Sequence, residues 1–468
     1  PETKGVWYLR DGLHWMDIPW LFLLAALLPA GAALYEGAWL LNQPTETSRT
    51  EAFILNGAVR LAKGEGLYPP LAEPPYIVHV YNPLTYLPAG GAGRVLGLHT
   101  TGVRFVGRSL SYLAALALSF LLLRWVLRET GSRRAAVVAG IGLFFYHLIT
   151  LVEFHRFRPE LPALFLTFAG AAAFTSRLRW RIEAAAVLFF LAFAFKQSFI
   201  AAPVSAFVYL LLQRDFRRAA RFGAVLGGLL AAFFLVMFAA TGRNYFDNAI
   251  LSMATNEMII LHHFGSHRRY VADALYSLLL AAPVAIGILI AERRTGYLLV
   301  YLPICVGWAV VSAGKIGADY NYYSEPAILL LVVVAMGAGV GVVRRPAATL
   351  VILLVLNFHV YWSILDEGWS GPEIHSRVRT VDFRPLIARY REMPGLKLIT
   401  EETIAVHAGD PVGFDWFLLQ LLEQEGLVDL TPIYRTIEQG GYEAVVIARL
   451  KTSGAEAIMQ RLAEKGPY

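Results

Sequence analysis

The chain has 468 residues, 57% of them hydrophobic and only 16% charged, with a mean hydropathy of +0.52. Soluble domains carry roughly 45–50% apolar and about 25% charged residues, so a single water-soluble core is excluded and the balance asks for lipid as solvent, with backbone polar groups satisfied inside helices. The net charge of +6 would suggest nucleic acid in a soluble chain, but here its distribution along the chain matters more, and the single cysteine, Cys305, excludes an intrachain disulfide or a CxxC metal site.

Runs of about 20 apolar residues mark membrane-crossing helices. Eleven candidates lie near 20–41, 105–127, 135–154, 160–176, 183–196, 198–213, 223–241, 271–291, 296–313, 324–343 and 347–364. The first is long enough to span and lacks a small-residue exit site, so no cleavable signal is expected. The expected fold is an α-helical polytopic membrane protein of about 11 transmembrane helices over residues 1–365, followed by a separate unit over 366–468.

Basic clusters set the orientation. "RETGSRR" (128–134), "SRLRWR" (176–181), "RDFRRAAR" (214–221), "ERR" (292–294) and "VRR" (343–345) fall at every second connection. Cytoplasmic connections are enriched in Lys and Arg, so the N-terminus is expected inside and the C-terminus outside a plasma (inner) membrane. That assigns to the outer face the loop 43–104, "EFHRFRPE" (153–160), "FKQSF" (195–199), the loop 242–270, "KIGADYNYYSEP" (315–326) and everything after about 365. The cytoplasmic connections are short and basic, so any chemistry is expected outside.

The tail reads as a small extracytoplasmic α/β domain. "LKLIT" (396–400) and "YEAVVIAR" (442–449) look like buried strands, and "DWFLLQLLEQEGL" (415–427) has the period of an amphipathic helix with a Gly stop. It carries no Gly-rich nucleotide fingerprint.

In the first outer loop, "SRTEAFILNG" (48–57) opens a one-sided helical stripe that ends at Gly64, fitting a helix in the membrane interface. Ser48-x-x-Glu51 has the spacing of a capping box. Glu51 is therefore open to two readings, half of a helix cap or a functional acid. "LYPP" (67–70) and "YIVHVYNPLTYLPAG" (76–90) follow, proline-rich and aromatic, suited to lining a lipid-facing groove.

Several motifs, in order and all on the expected outer face, carry a family resemblance. "EAFILNGAVRLAKGEGLY" (51–68), "YNPLTY" (81–86) and "GRSLS" (107–111) resemble the first outer loop of GT-C superfamily membrane glycosyltransferases. These are relatives of the dolichyl-phosphate-mannose protein mannosyltransferases and of the lipid A aminoarabinose transferases. "FRPELPALFLTFAG" (157–170), "LAFAFKQSFIAAP" (191–203), "ADYNYYSEPAILLL" (318–331) and the tail segment "GLKLITEETIAVHAGDP" (395–411) are similar to recurring motifs of bacterial members.

The resemblance implies hexosyl or pentosyl transfer, with inversion, from a polyprenyl-phosphate donor in the membrane to a lipid, glycan or protein acceptor on the outer face. A polyprenyl phosphate leaves without the acid assistance that glycoside hydrolysis needs. Such an enzyme needs one carboxylate to take the acceptor proton and cations to hold the leaving phosphate. Glu51 matches the family acid. Many relatives have Asp there, or an Asp-Glu pair, where this chain has Thr50-Glu51. Glu36, near the outer end of the first span, is the runner-up, and Glu65 and Glu73 read as solvated loop acids.

Arg158 and Lys196 sit where apolar runs meet the outer face, as a phosphate clamp requires, with His155, Arg156, Arg268 and Arg269 as helpers. The plainer reading is that each snorkels at a helix end or pairs internally, Arg158 with Glu160. Tyr68, Tyr81, Asn321, Tyr322 and Glu325 would line the sugar or acceptor pocket, as would Asp319; the tyrosines read equally as an interfacial belt. His262, His263 and His267 could hold a divalent metal, but the adjacent arginines disfavour a cation, so no cofactor is assigned. No nucleic acid partner is expected. A transporter is a second class, although no internal repeat is apparent; a non-catalytic subunit of a membrane assembly is a third.

Overall fold

The computed structural model describes residues 26–44, 46, 48–145, 156–254, 258, 260–294, 296–316, 318, 320–366, 383–395, 397–399, 402–409, 416–442 and 444–446. It is mostly helical. The elements run α1 (Leu27–Leu41), α2 (Arg49–Lys63), a 3-10 turn (Pro83–Thr85), α3 (Leu87–Leu96), α4 (Thr100–Thr130), α5 (Arg133–Phe145), α6 (Glu160–Phe174), α7 (Arg181–Phe195) and α8 (Ala201–Leu212). They continue with α9 (Phe216–Thr241), a π-helical turn (Phe246–Leu251), α10 (Ile260–Ala291), α11 (Gly296–Ala313), a 3-10 turn (Tyr320–Tyr323), α12 (Ser324–Arg344) and α13 (Pro346–Asp366). The tail contributes α14 (Arg384–Glu392), β1 (Lys397–Ile399), α15 (Glu402–Ala408), α16 (Trp416–Gln424), α17 (Thr431–Glu438) and β2 (Ala444–Val446).

Among the described residues, four helical segments are long and apolar enough to cross a membrane: Thr100–Thr130, Phe216–Thr241, Gly296–Ala313 and Tyr320–Arg344. Shorter apolar helices, among them α6, α8 and much of α10 and α13, stand with them. α12 is the buried axis of the bundle, packed against α5, α10 and α13. Its close contacts depend on small residues: a Cβ on Gly337 would lie 2.5 Å from the Ala285 Cβ. α9 is the opposite case, with Leu235, Val236 and Phe238 exposed as a lipid-facing helix requires.

α10 begins at Ile260, so "LHHFGSHRRY", expected as loop, is its first part. The expected outer loop contains two helices where only one was expected. α2 ends at Gly64, whose φ of 82° supplies the left-handed C-cap. α3 was not expected because three glycines and a proline discourage a helix. Pro88, however, sits in its first turn, where no N–H is needed. Gly90 lets α3 approach α2 until a Cβ would lie 2.7 Å from the Ala58 carbonyl, so tertiary packing overrides propensity.

In the tail, β1 and β2 pair in parallel, Lys397 opposite Ala444 and Ile399 opposite Val446. α16 falls within the predicted amphipathic stretch; α15 and α17 are additional. The tail shares its cores with the first loop. Ile387, Tyr390, Ile399 and Ile404 pack with Ile54, Leu55 and Val59, and Leu398, Leu419 and Leu422 pack with Leu71 and Tyr76. Arg49 is ion-paired with Glu402 at 2.8 Å, and the His407 ring meets Glu46 at 2.9 Å.

Candidate functional site

α2 begins as the capping-box spacing predicts: the Ser48 hydroxyl accepts the Glu51 N–H at 3.3 Å. The Glu51 carboxylate, fully buried, turns towards α4. Its Oε1 accepts from Arg108 Nε at 2.7 Å and from the Phe157 N–H at 2.9 Å, and its Oε2 accepts from Arg108 Nη2 at 2.9 Å. Arg108 also donates to the Leu40 carbonyl at 2.7 Å, fastening the end of α1. Gly107 makes room for this arrangement, since a Cβ there would collide with the Phe157 ring.

A second carboxylate organises the neighbouring space. Glu160, the first residue of α6, is fully buried. Its Oε1 accepts from Lys196 Nζ at 2.8 Å and from Asn321 Nδ2 at 2.6 Å, and Arg158 Nη2 stands at 3.4 Å. Lys196 caps the C-terminal end of α7, where the chain turns towards α8, and its ammonium lies 4.7 Å from the Tyr322 ring centre and 5.7 Å from that of Tyr81. Ser111 of α4 bonds the Arg158 backbone. The end of α7 and the 3-10 turn before α12 thus converge on one acid at the start of α6.

The partners of Glu160, though not its own carboxylate, border a cavity of about 520 Å³. Its wall includes Thr50, Phe53, Val80, Tyr81, Arg158, Lys196, Gln197, Trp308, Lys315, Asn321 and Tyr322, together with Leu418 from the tail. A recess of about 20 Å³ behind Lys196 reaches Glu325, whose Oε1 accepts the Tyr301 hydroxyl at 2.5 Å. The first loop forms the roof and is pinned at several points. Gln197 donates to the Val80 carbonyl at 2.8 Å, and Asn82 and Thr85 donate to the carbonyls of Phe193 and Phe195, each at 2.6 Å.

The electrostatics of the cavity are one-sided. Among the described residues, Arg158, Lys196 and Lys315 line it, and Glu160 is shared between the first two. Lys315 reaches only the Met253 carbonyl, at 3.4 Å. Among the described residues Lys315 meets no carboxylate, so positive charge is left over, which fits a phosphate group. Burial, partly offset by the Lys196 charge, pushes the Tyr81 phenol up to about 12, so it stays protonated and can donate a hydrogen bond.

Of the residues singled out from sequence, Arg158, Lys196, Tyr81, Asn321 and Tyr322 meet at this cavity, and Glu325 lines its recess. Glu51 does not line it: Thr50 and Phe53 do, while the Glu51 carboxylate lies behind them on Arg108. Glu36 is buried on α1 and does not line the cavity. Tyr68 supports the roof, its hydroxyl donating to the Tyr81 carbonyl at 2.8 Å. Arg156 is half-buried beside Phe157 and also off the wall. His155 and Asp319, and the side chains of His262, His263, His267, Arg268 and Arg269, lie outside the described residues. Sequence reasoning named Glu160 only as an internal partner of Arg158 and did not single out Lys315. For Glu160, the available signal was an acid opening an apolar run two residues after an arginine.

Fold and cavity together define a polytopic helical membrane protein with a cation-rich chamber at one end of its bundle. The same fold is found in the crystal structure of ArnT from Cupriavidus metallidurans bound to undecaprenyl phosphate. The two chains are 15% identical, the match covers 97% of this chain and 96% of that one, and the TM-score is 0.61. The apo structure of the same protein matches over 95% and 94% with 15% identity and a TM-score of 0.60. The likeness is to the fold that the resemblance to lipid A aminoarabinose transferases implied. No family model and no curated protein matches the sequence.

Proposed function

We propose that the protein is a membrane glycosyltransferase that takes its sugar from a polyprenyl-phosphate carrier. The observation that carries this reading is a cavity lined by Arg158, Lys196 and Lys315, with Lys315 meeting no carboxylate among the described residues, and roofed by apolar and aromatic side chains. A lipid-linked phosphate offers the matching anion and an apolar tail. In the transfer, an acceptor hydroxyl attacks the anomeric carbon, the carbon–oxygen bond to phosphate breaks, and a carboxylate takes the hydroxyl proton. Arg158, Lys196 and Lys315 hold the leaving phosphate, while Tyr81, Asn321 and Tyr322 face the sugar.

Glu160, bonded directly to the cavity-lining Lys196 and Asn321, is the first reading for the acid that takes the proton. A donor phosphate would share Lys196 and Arg158 with it and so release lone pairs for the acceptor. Glu51 is the second reading, favoured by Thr50 and Phe53 on the cavity wall and by its bond to the Phe157 N–H, next to Arg158. For Glu51 to act, Arg108 must let go of one oxygen.

The placement of the basic connections supports an orientation with this end of the bundle extracytoplasmic, in an inner membrane. Modification of a cysteine at Ser132 from outside intact cells would reverse it. The functional reading is tested by binding of undecaprenyl phosphate against undecaprenol to purified protein. Hydrogen bonds to charged groups contribute about 1.5–3 kcal/mol each, so the phosphate should be preferred by about tenfold or more, and Lys315→Gln should lower that preference. Equal binding of the two lipids would remove the proposal.

A further inference from the structure

The helices that carry the candidate site at one end enclose a second cavity at the other, of about 320 Å³. Its walls come from the C-terminal ends of α4, α6, α8 and α12, the N-terminal ends of α7 and α11, and the connection after α10. On α12, Asn321 borders the first cavity just before the helix starts, and Val340 borders the second. The nineteen residue steps from one to the other, nearly all α-helical, amount to about 28 Å, close to the thickness of a bilayer's hydrocarbon core.

Its depth is apolar, with Trp125, Phe174, Leu210, Tyr297 and Met336, and its mouth is basic, with Arg181, Arg293 and Arg294. Among the described residues none of these three guanidiniums meets a carboxylate. Arg181 donates to the Ser176 carbonyl at 3.1 Å and Arg294 to the Glu129 carbonyl at 2.7 Å. The Glu129 side chain, also at the mouth, is already bound by Arg128 at 2.6 Å. Trp125, almost wholly buried, forms part of the wall, and its indole N–H has no acceptor among the described residues.

We propose that this cavity binds an anionic glycerophospholipid from the leaflet opposite the candidate site, its phosphate at Arg181, Arg293 and Arg294 and an acyl chain in the apolar depth. Charge complementarity selects the headgroup. A zwitterionic lipid would bring its own cation against three unpaired arginines. Two neighbouring arginines differ in kind: Arg344 and Arg345 are already paired with Glu292 and stand outside the cavity.

The experiment measures retention of phosphatidylglycerol against phosphatidylcholine on the full-length purified protein by native mass spectrometry. Each juxtaposed arginine favours an anionic lipid by about fivefold. The parent should therefore retain phosphatidylglycerol at least about tenfold better. Arg181→Gln/Arg293→Gln/Arg294→Gln should lose that preference, while Arg344→Gln/Arg345→Gln should keep it. The substituted side chains lie at the mouth, and thermal melting of each variant checks that it is folded. Equal retention of both lipids by the parent, or equal loss in both variants, would overturn the site. Displacement of the lipid by millimolar inorganic phosphate would assign it to a free anion instead. None of these readouts depends on the sugar-transfer reading.

Discussion

Glu51 and Glu160 are both fully buried carboxylates at the same end of the bundle, and their surroundings differ in stoichiometry. Glu51 meets the Arg108 guanidinium in a bidentate pair and accepts one backbone N–H, an acid matched with a cation at close range. Glu160 meets two cations, a third stands across the chamber at Lys315, and about 520 Å³ of space lies against them. A buried ion pair that balances is a fastening, and breaking it exposes the partner to an uncompensated desolvation penalty. A cluster with charge left over is costly to bury without a counter-charge, which in a cavity an anionic ligand can supply. A fastening role for Glu51 and a site-organising role for Glu160, as proposed, make different, measurable predictions.

The largest expected effect is on rate. Glu160→Gln keeps the side-chain volume and a partner for Asn321 but cannot take a proton, and removal of a general base typically costs about 10²–10⁴-fold. Transfer by the folded variant, in the presence of a competent donor, should drop into that range while binding of undecaprenyl phosphate persists. Transfer within a few-fold of the parent would break the distinction between the two acids and return the base to Glu51.

Stability sharpens the other side. Glu51→Gln strands the buried Arg108 guanidinium, and truncating one partner of a buried pair costs about 3–5 kcal/mol. Denaturation should show that loss, and Glu51→Gln/Arg108→Met should recover part of it because no charge is then left unpaired. Should the double variant be stable yet inert in transfer, Glu51 would be more than a fastening.

The smallest expected effect is a pH dependence in the roof. His79 is buried between α2 and Tyr86, with no hydrogen-bond partner for its ring nitrogens among the described residues. Burial, with a lesser contribution from the Arg60 charge, pushes it down to about 3 from its ordinary 6.5. The unfolded chain takes up a proton below about 6.5 that the folded chain refuses, so this stability is fully present above that value and is lost as pH falls towards 3. At about pH 5.5 the loss is roughly 1.4 kcal/mol. His79→Leu should flatten that part of the melting-temperature profile; an unchanged slope would place the proton elsewhere.

Much of this architecture was legible in the order of residues. A hydrophobic fraction of 57% forces helices that satisfy their own backbone in lipid, and α4, α9, α11 and α12 lie where apolar runs of spanning length lie. Ser48 and Gly64 bound α2 as cap chemistry requires, because capping is a local interaction readable from a few neighbours. Arg158 and Lys196 could be singled out because a charge at the edge of an apolar run is costly without a partner or a cavity.

Tertiary structure alone decided how those charges are shared. That Glu51 faces Arg108, 57 residues away, while Glu160 gathers Lys196 and Asn321 across 36 and 161 residues, follows from which helices pack together. Nothing local to either acid encodes it. The same holds for α3, whose glycines read as helix breakers until α2 lies against them, and for Lys315, an unremarked lysine in sequence that the fold turns into the least compensated cation of the cavity's described lining. Composition and local spacing fix the solvent, the helices and their caps. Long-range packing fixes which buried charges cancel and which remain available to a ligand, because electrostatic pairing depends on distance in space.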